Sequence, residues 1–308
     1  MSYLEYTVKT VPSGWRKMLF INWPLVILLT AIAGVGLLML YSVAGGSMTP
    51  WAEPQMKRYA LGLAVMFVVA MVPIWFWRNM ALVVYALAFF LLLLVEFFGA
   101  IGMGAQRWID LGFMRLQPSE LMKVAMVVLL AAYYDWLPLS KTSRPLWVLI
   151  PIFIILAPTA LVLTQPDLGT ALLLMIAGGL MMFLAGVHWL YFATVLTAGV
   201  GTVWAVFKSR GTDWQLLKDY QFRRIDTFLD PSTDPLGAGY HITQAKIALG
   251  SGGLTGRGFM QGTQSRLNFL PEKHTDFIFT TLAEEFGFVG AVSLLVLYAL
   301  IIVFCISS

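Results

Sequence analysis

The stretch NWPLVILLTAIAGVGLLMLYS, residues 22–42, decides the fold. It carries no Lys, Arg, Asp, Glu or His. A helix crossing a ~30 Å hydrocarbon core needs roughly 20 apolar residues, so this stretch reads as a membrane span. The mixed residues before it do not have the pattern of a cleaved signal. Outward from it, similar runs recur at about 59–77, 79–100, 118–134, 146–164, 169–186, 188–207 and 276–304. The fourth and sixth are short and polar at one end. The chain of 308 residues is 59% hydrophobic and 12% charged, with a mean hydropathy of +0.80. Soluble domains are roughly 45–50% apolar and about 25% charged. The expectation is an all-α polytopic membrane protein of about eight transmembrane helices. It forms one integral membrane domain over 1–308, with a large structured extracytoplasmic loop at 208–275.

A net charge of +4 is too weak to argue for nucleic acid when most basic residues flank apolar runs; they read as anchors near anionic membrane lipid. The lone cysteine, Cys305, excludes an internal disulfide and a cysteine metal cluster, and reads as a small apolar filler. Orientation follows the Lys/Arg bias of short loops. With the N-terminus cytoplasmic, inner segments hold Lys9, Arg16, Lys17, Arg78, Lys141 and Arg144, against Lys57, Arg58, Arg107 and Arg115 outside. In the long loop, two amphipathic stretches (DYQFRRIDTFL and YHITQAKIAL) alternate with turn-rich ones, so the loop is expected to fold back on the bundle or lie along the interface.

Ionisable residues in or beside spans are costly, so each is a candidate for function. In QRWIDLGFMRLQPSELMKVAMV, Glu120 and Lys123 stand three apart on one helix face. They read as a structural ion pair or as a polar cavity wall contacting an anionic headgroup. Glu96 reads as a buried protonated acid facing the bundle, with a proton path as the other option. Gln165, Pro166 and Asp167 break the chain between two spans, where Asp167 is placed either to cap the next helix or to face the outer cavity. In LPEKHTDFIFTTLAEEFG, Glu272, Lys273, His274, Thr275 and Asp276 crowd the entry to the last span. Asp276 is either the N-cap or a partly buried carboxylate suited to general-base work. One of Glu284 and Glu285, two turns on, must face inward or find a partner. GSGGLTGRG reads first as turns, and second as a backbone approach to a ligand. There is no GxxxxGK[ST], HExxH or GxSxG motif, which removes P-loop, zincin and serine-elbow readings. His188, His241 and His274 lack ligand spacing.

The segments RWIDLGFMRLQPSELMK, TQPDLGTALLL, DPLGAGYHITQAKIALGSGGLTGRGF and GTQSRLNFLPEKHTDFIFTTLAEEFG resemble the SEDS family of peptidoglycan polymerases. The wording of DPLGAGYH, SGGLTGRGF and GTQS is nearer to its elongation-type (RodA-like) than to its division-type (FtsW-like) members. The resemblance implies a peptidoglycan glycosyltransferase in the bacterial inner membrane. Such an enzyme polymerises lipid II, with inversion and loss of polyprenyl pyrophosphate, during cell elongation and cell-shape maintenance. It further implies a class B penicillin-binding protein (a transpeptidase) as partner. The family's essential aspartate falls on Asp276. Its polar cavity residues fall on Arg107, Gln117, Ser119, Glu120 and Lys123, and its QPD motif on Gln165, Pro166 and Asp167. Family members usually have ten spans, so this chain is expected to be a fragment lacking two helices.

Residues and resemblance agree on the chemistry. Arg107, Lys123 and Lys273 are candidates for the pyrophosphate, since Arg and Lys donors suit phosphate oxygens. Glu272 and Thr275 complete the expected substrate contacts, and a divalent cation (Mg or Mn) is an expected possible cofactor. The rival reading is a lipid II flippase without bond chemistry, which intramembrane charges would also serve. A non-catalytic scaffold accounts for the helices but not for the cluster at 272–276.

Overall fold

The computed structural model describes residues 14–102, 105–110, 115–217, 219–230, 232, 237–263 and 273–307. Its long helices are α1 (Trp23–Val43), α2 (Ala52–Met71), α3 (Ile74–Phe98), α4 (Pro118–Trp136), α5 (Pro145–Thr164), α6 (Leu168–Leu184) and α7 (Trp189–Ser209). The shorter α8 (Asp219–Leu229) and α9 (Ala238–Ser251) follow, then the long α10 (Ile278–Ser307). Of these, α1, α3, α5, α7 and α10 are long and apolar enough to cross a membrane, and α6 is a shorter apolar helix. Helices fall over all eight predicted runs, with two boundaries moved: α2 begins at Ala52 rather than 59, and the break after it shifts. The expected break at residue 78 lies instead at Pro73, which precedes α3 in extended conformation. Proline has no N–H to donate and pushes the residue before it out of the helical region. Arg78 therefore sits within α3 and pairs with Asp135 at 2.8 Å.

The chain divides into two compact units. The first is built from Val72–Lys208. Met122, Met126 and Leu130 of α4 recur every four residues and are fully buried with Leu92, Val162 and Leu174. Helix α5 carries two internal prolines, Pro151 and Pro158, each of which removes the bond to the carbonyl four residues back. Both orphaned carbonyls are met by tyrosines: Tyr133 donates to Trp147 O at 2.7 Å and Tyr85 to Ile154 O at 2.9 Å. In a bilayer every backbone polar group needs such an internal partner. Gly178 lets α6 approach α5, since a Cβ there would sit 2.4 Å from Ile155.

A small antiparallel sheet, absent from the sequence expectation, links α3 to α4. It comprises β1 (Ala100–Gly102), β2 (Ala105–Asp110) and β3 (Arg115–Leu116), with Asp110 opposite Arg115. Its strands are too short for periodicity to announce them.

The second unit comprises Pro12–Met71 and Ser209–Ser308. Met39 of α1 packs with Leu282, Ala283 and Ala291 of α10. The predicted amphipathic stretch DYQFRRIDTFL is α8. Its Phe222 is buried while Phe228 and Leu229 are exposed. Arg210 donates to both carboxylate oxygens of Asp226, at 2.9 and 2.7 Å, and lies over the Phe222 ring. That bond holds the Asp226 carboxyl below its ordinary range.

Candidate functional site

The first unit brings four predicted residues into one network. Strand β2 presents Arg107, whose Nε donates to Gln165 O at 3.0 Å and whose Nη2 donates to Pro166 O. Its Nη1 lies 3.9 Å from Asp167 Oδ2. The guanidinium thus caps the carbonyl end of α5, where a helix carries negative partial charge. Asp167 is the N-cap of α6: Oδ1 accepts from Thr170 N at 3.1 Å, and Oδ2 accepts from Thr170 Oγ1 at 2.9 Å. Gln117 Nε2 reaches the same Oδ2 at 3.5 Å, and buried Gln165 donates to Leu92 O at 3.3 Å. Of the two readings for Asp167, the cap is present, and the carboxylate's bonds run to the fold.

Ser119 is buried in the first turn of α4. Glu120 and Lys123 pair at 2.8 Å, with side chains 56% and 26% exposed. The ion pair is present; Glu120 is exposed and Lys123 half-buried, because the inward stripe of α4 is filled by Met122, Met126 and Leu130. The reading of Glu96 as a buried acid is corrected. Glu96 is exposed, two residues from the end of α3 rather than mid-span, and accepts from Thr164 Oγ1 at 3.1 Å.

In the second unit, Lys273, His274, Thr275 and Asp276 form a turn leading into α10; Glu272 lies outside the described residues. His274 stacks on Trp51 with centroids 4.6 Å apart. A cavity of about 330 Å³ next to it is lined by Gly36, Leu40, Gln55, Tyr59, His274 and Ile278, among others. Partial burial pulls the Lys273 ammonium below its ordinary pKa. Asp276 is exposed, which corrects the predicted partial burial. It stands two residues before α10, one position too early to cap it. Its carboxylate has no hydrogen-bond or ion-pair partner among the described residues, so it is available to a ligand.

Sequence reasoning required one of Glu284 and Glu285 to face inward or find a partner, and passed over their contact with the glycine-rich run. Glu284 and Glu285 are both buried, at 0% and 2% exposure. Helix α10 breaks at Gly287, with φ 66° and ψ −163°, and the glycine-rich loop docks into the break. Arg257 N donates to Glu284 O and Gly258 N to Glu285 O, both at 3.0 Å. In return Phe288 N donates to Gly253 O at 2.9 Å and Val289 N to Leu254 O at 3.1 Å. A Cβ on Gly252 would sit 2.0 Å from Ala283 O, and one on Gly256 2.1 Å from Glu285 O. GSGGLTGRG therefore forms turns, as first read, and their backbone docks against α10. The available signal was two glutamates in an apolar helix beside an otherwise unexplained run of glycines.

Comparison with known proteins places these features. The family model described as "Cell cycle protein", that of FtsW, RodA and SpoVE, matches residues 18–307. Peptidoglycan glycosyltransferase MrdB of Escherichia coli (strain K12) is 42% identical over 292 residues, covering 94% of this chain and 75% of that protein. The probable peptidoglycan glycosyltransferase FtsW of Escherichia coli O6:H1 is 34% identical over 268 residues, covering 85% and 63%. Among solved structures, a peptidoglycan synthase complex that coordinates polymerization and crosslinking matches with a TM-score of 0.73 at 30% identity, covering 91% of this chain and 75% of that one. The crystal structure of the rod shape determining protein RodA of Thermus thermophilus matches with a TM-score of 0.60 at 26% identity, covering 91% and 72%. The match to almost the whole length, at higher identity to MrdB than to FtsW, means that this chain belongs to the FtsW, RodA and SpoVE family and sits on its RodA-like side.

Proposed function

We propose that Asp276 is the general base of this peptidoglycan glycosyltransferase, a multi-pass bacterial membrane protein that polymerises lipid II for cell elongation. The observation that carries this reading is the Asp276 carboxylate itself: exposed, unpartnered among the described residues, and fixed at the head of α10. In the reaction the acceptor sugar's hydroxyl oxygen attacks the anomeric carbon of the donor. The bond from that carbon to pyrophosphate breaks, and its electron pair leaves on the phosphate oxygen. The hydroxyl proton passes to Asp276, whose role is to hold it as the new bond forms. Lys273, beside it in the same turn, supplies positive charge for the leaving pyrophosphate. Thr275 and Glu272 flank the base in sequence as substrate contacts. Within the first unit, Arg107, Gln117, Ser119, Gln165 and Asp167 are further candidates for substrate contact, as are Glu120 and Lys123.

Among the described residues no three His, Cys, Asp or Glu side chains gather as a cation cage would need. Magnesium commonly binds through one or two carboxylates plus substrate phosphates. A Mg or Mn ion would then find one ligand at Asp276 and neutralise charge on the pyrophosphate. The N-terminus is cytoplasmic and the 208–275 segment outside, in keeping with the Lys/Arg bias. The partner is a class B penicillin-binding protein; a peptidoglycan synthase complex among the structural relatives supports this.

The test is Asp276→Asn in the full-length enzyme with its partner. General-base catalysis contributes about 10²–10⁴-fold, so polymerisation of purified lipid II should fall that far while lipid II binding changes little. Long glycan strands made at a near wild-type rate would remove Asp276 from this role. Transport of labelled lipid II across a vesicle bilayer by both forms, without strands from either, would favour the flippase.

A further inference from the structure

Two buried carboxylates in an apolar helix require a reason, because an ionisable group away from water is costly unless its partners are specific. Among the described residues, hydrogen-bond partners of both come from the outer segment and from α1. Thr263 donates to Glu284 Oε1 twice, from its amide at 2.7 Å and from Oγ1 at 3.0 Å. Arg257 Nη1 donates to Thr263 Oγ1 at 2.9 Å, holding the hydroxyl from its other side. Ser42 Oγ donates to Glu285 Oε1 at 2.5 Å, and the amide of Met260 is also bonded to Glu285. Met260 adopts a left-handed φ of 61°, a conformation side chains reach only when their surroundings impose it.

The consequence lies in the chain path. Thr263 is the last described residue before the segment that leads to Asp276, and Glu284 lies two turns beyond Asp276 on α10. The Thr263–Glu284 bonds therefore tie α10, two turns past Asp276, to the outer segment. The backbone rungs to Gly253, Leu254, Arg257 and Gly258 and the Glu285–Ser42 bond anchor the same helix turn to the outer segment and to α1. Asp276 stands two residues before this tied helix, in the turn that leads into it.

We infer that Glu284 is a positioning residue for Asp276, with Glu285 as its second anchor. Both act through hydrogen-bond acceptance rather than by touching substrate. This rests on the reading of Asp276 as the base. Small displacements of a catalytic group can cost about 10²-fold, so Glu284→Ala should lower kcat roughly tenfold to a hundredfold with KM little changed. Glu284→Gln keeps an oxygen acceptor for both Thr263 donors and should retain most of the rate. Thr263→Val removes only the hydroxyl contacts and should fall between the two.

The experiment uses the full-length enzyme with its partner and measures kcat and KM per folded molecule, alongside hydrogen–deuterium exchange over residues 273–283. The expected result is faster exchange and lower kcat in Glu284→Ala, both restored in Glu284→Gln. Should Glu284→Ala not fold, Thr263→Val carries the same comparison. Unchanged exchange in Glu284→Ala and Thr263→Val would overturn the positioning role whatever the activity does, and would leave Asp276 standing as base. Faster exchange with unchanged kcat would overturn it by removing Asp276 from the chemistry. A Gln variant as slow as Ala, with wild-type exchange, would also overturn it by assigning the carboxylate a chemical role.

Discussion

Gly287→Ala tests the docking of the glycine-rich loop into α10 most directly. Gly287 sits at φ 66° and ψ −163°, a region essentially reserved for glycine, where another residue costs on the order of 1–3 kcal/mol. The added methyl would also lie 2.3 Å from Gly256 N and 2.6 Å from Leu254 O. These are backbone atoms that cannot rotate away, and overpacking of this kind costs typically 1–3 kcal/mol more. The sum is about 2–6 kcal/mol, which at the roughly 2–4 °C per kcal/mol of domains of about 150–250 residues is a melting point lower by about 4–24 °C. Gly179→Ala serves as control: it lies inside α6 with nothing within 4 Å of its would-be Cβ. Removing a mid-helix glycine there should be neutral or stabilising by up to about 1 kcal/mol. The assay is thermal unfolding of both purified variants in one detergent, followed by size-exclusion recovery. Equal melting temperatures for Gly287→Ala and Gly179→Ala would show that the break and its four reciprocal backbone bonds do not hold the loop.

The exposed Glu120–Lys123 pair should contribute no more than about 1 kcal/mol to stability. Alanine at either position should then leave unfolding nearly unchanged while polymerisation falls; a large loss of folded protein would make the pair structural. Arg107→Lys keeps the charge but loses the planar fork that reaches two carbonyls and Asp167, so faster hydrogen exchange at the α5–α6 junction is expected; wild-type exchange there would refute the capping role. Burial lowers the Lys273 pKa from 10.5, so its charge is lost, as pH rises, earlier than that of a free lysine. The alkaline limb of the rate profile should therefore begin below that value and move upward in Lys273→Arg; an unmoved limb would exclude Lys273 from phosphate binding. Cysteines at Asp230 and Lys141, with Cys305 replaced, should label from outside at 230 and not at 141; the reverse would invert the topology.

The sequence determined the main helices, because α1, α3, α5, α7 and α10 are each long enough to cross a bilayer and carry the hydropathy that a lipid solvent demands, a local property needing no knowledge of neighbours. It also marked Asp276 and the Arg107, Gln117, Gln165 and Asp167 residues, since charge beside an apolar run stands out whatever surrounds it. What it left open depended on which side chain faces which neighbour. Glu96 and Glu120 are exposed because the buried stripes of α3 and α4 are taken by Leu92 and Val95 and by Met122, Met126 and Leu130. The tyrosines that satisfy the carbonyls freed by Pro151 and Pro158 lie on other helices. The glycines at 252–258 and the pair Glu284 and Glu285 are more than twenty residues apart, and each alone reads as a turn or an unexplained charge. Only the tertiary fold brings them into contact, because hydrogen bonding across that separation requires α10 to break at Gly287 and the outer loop to reach the break.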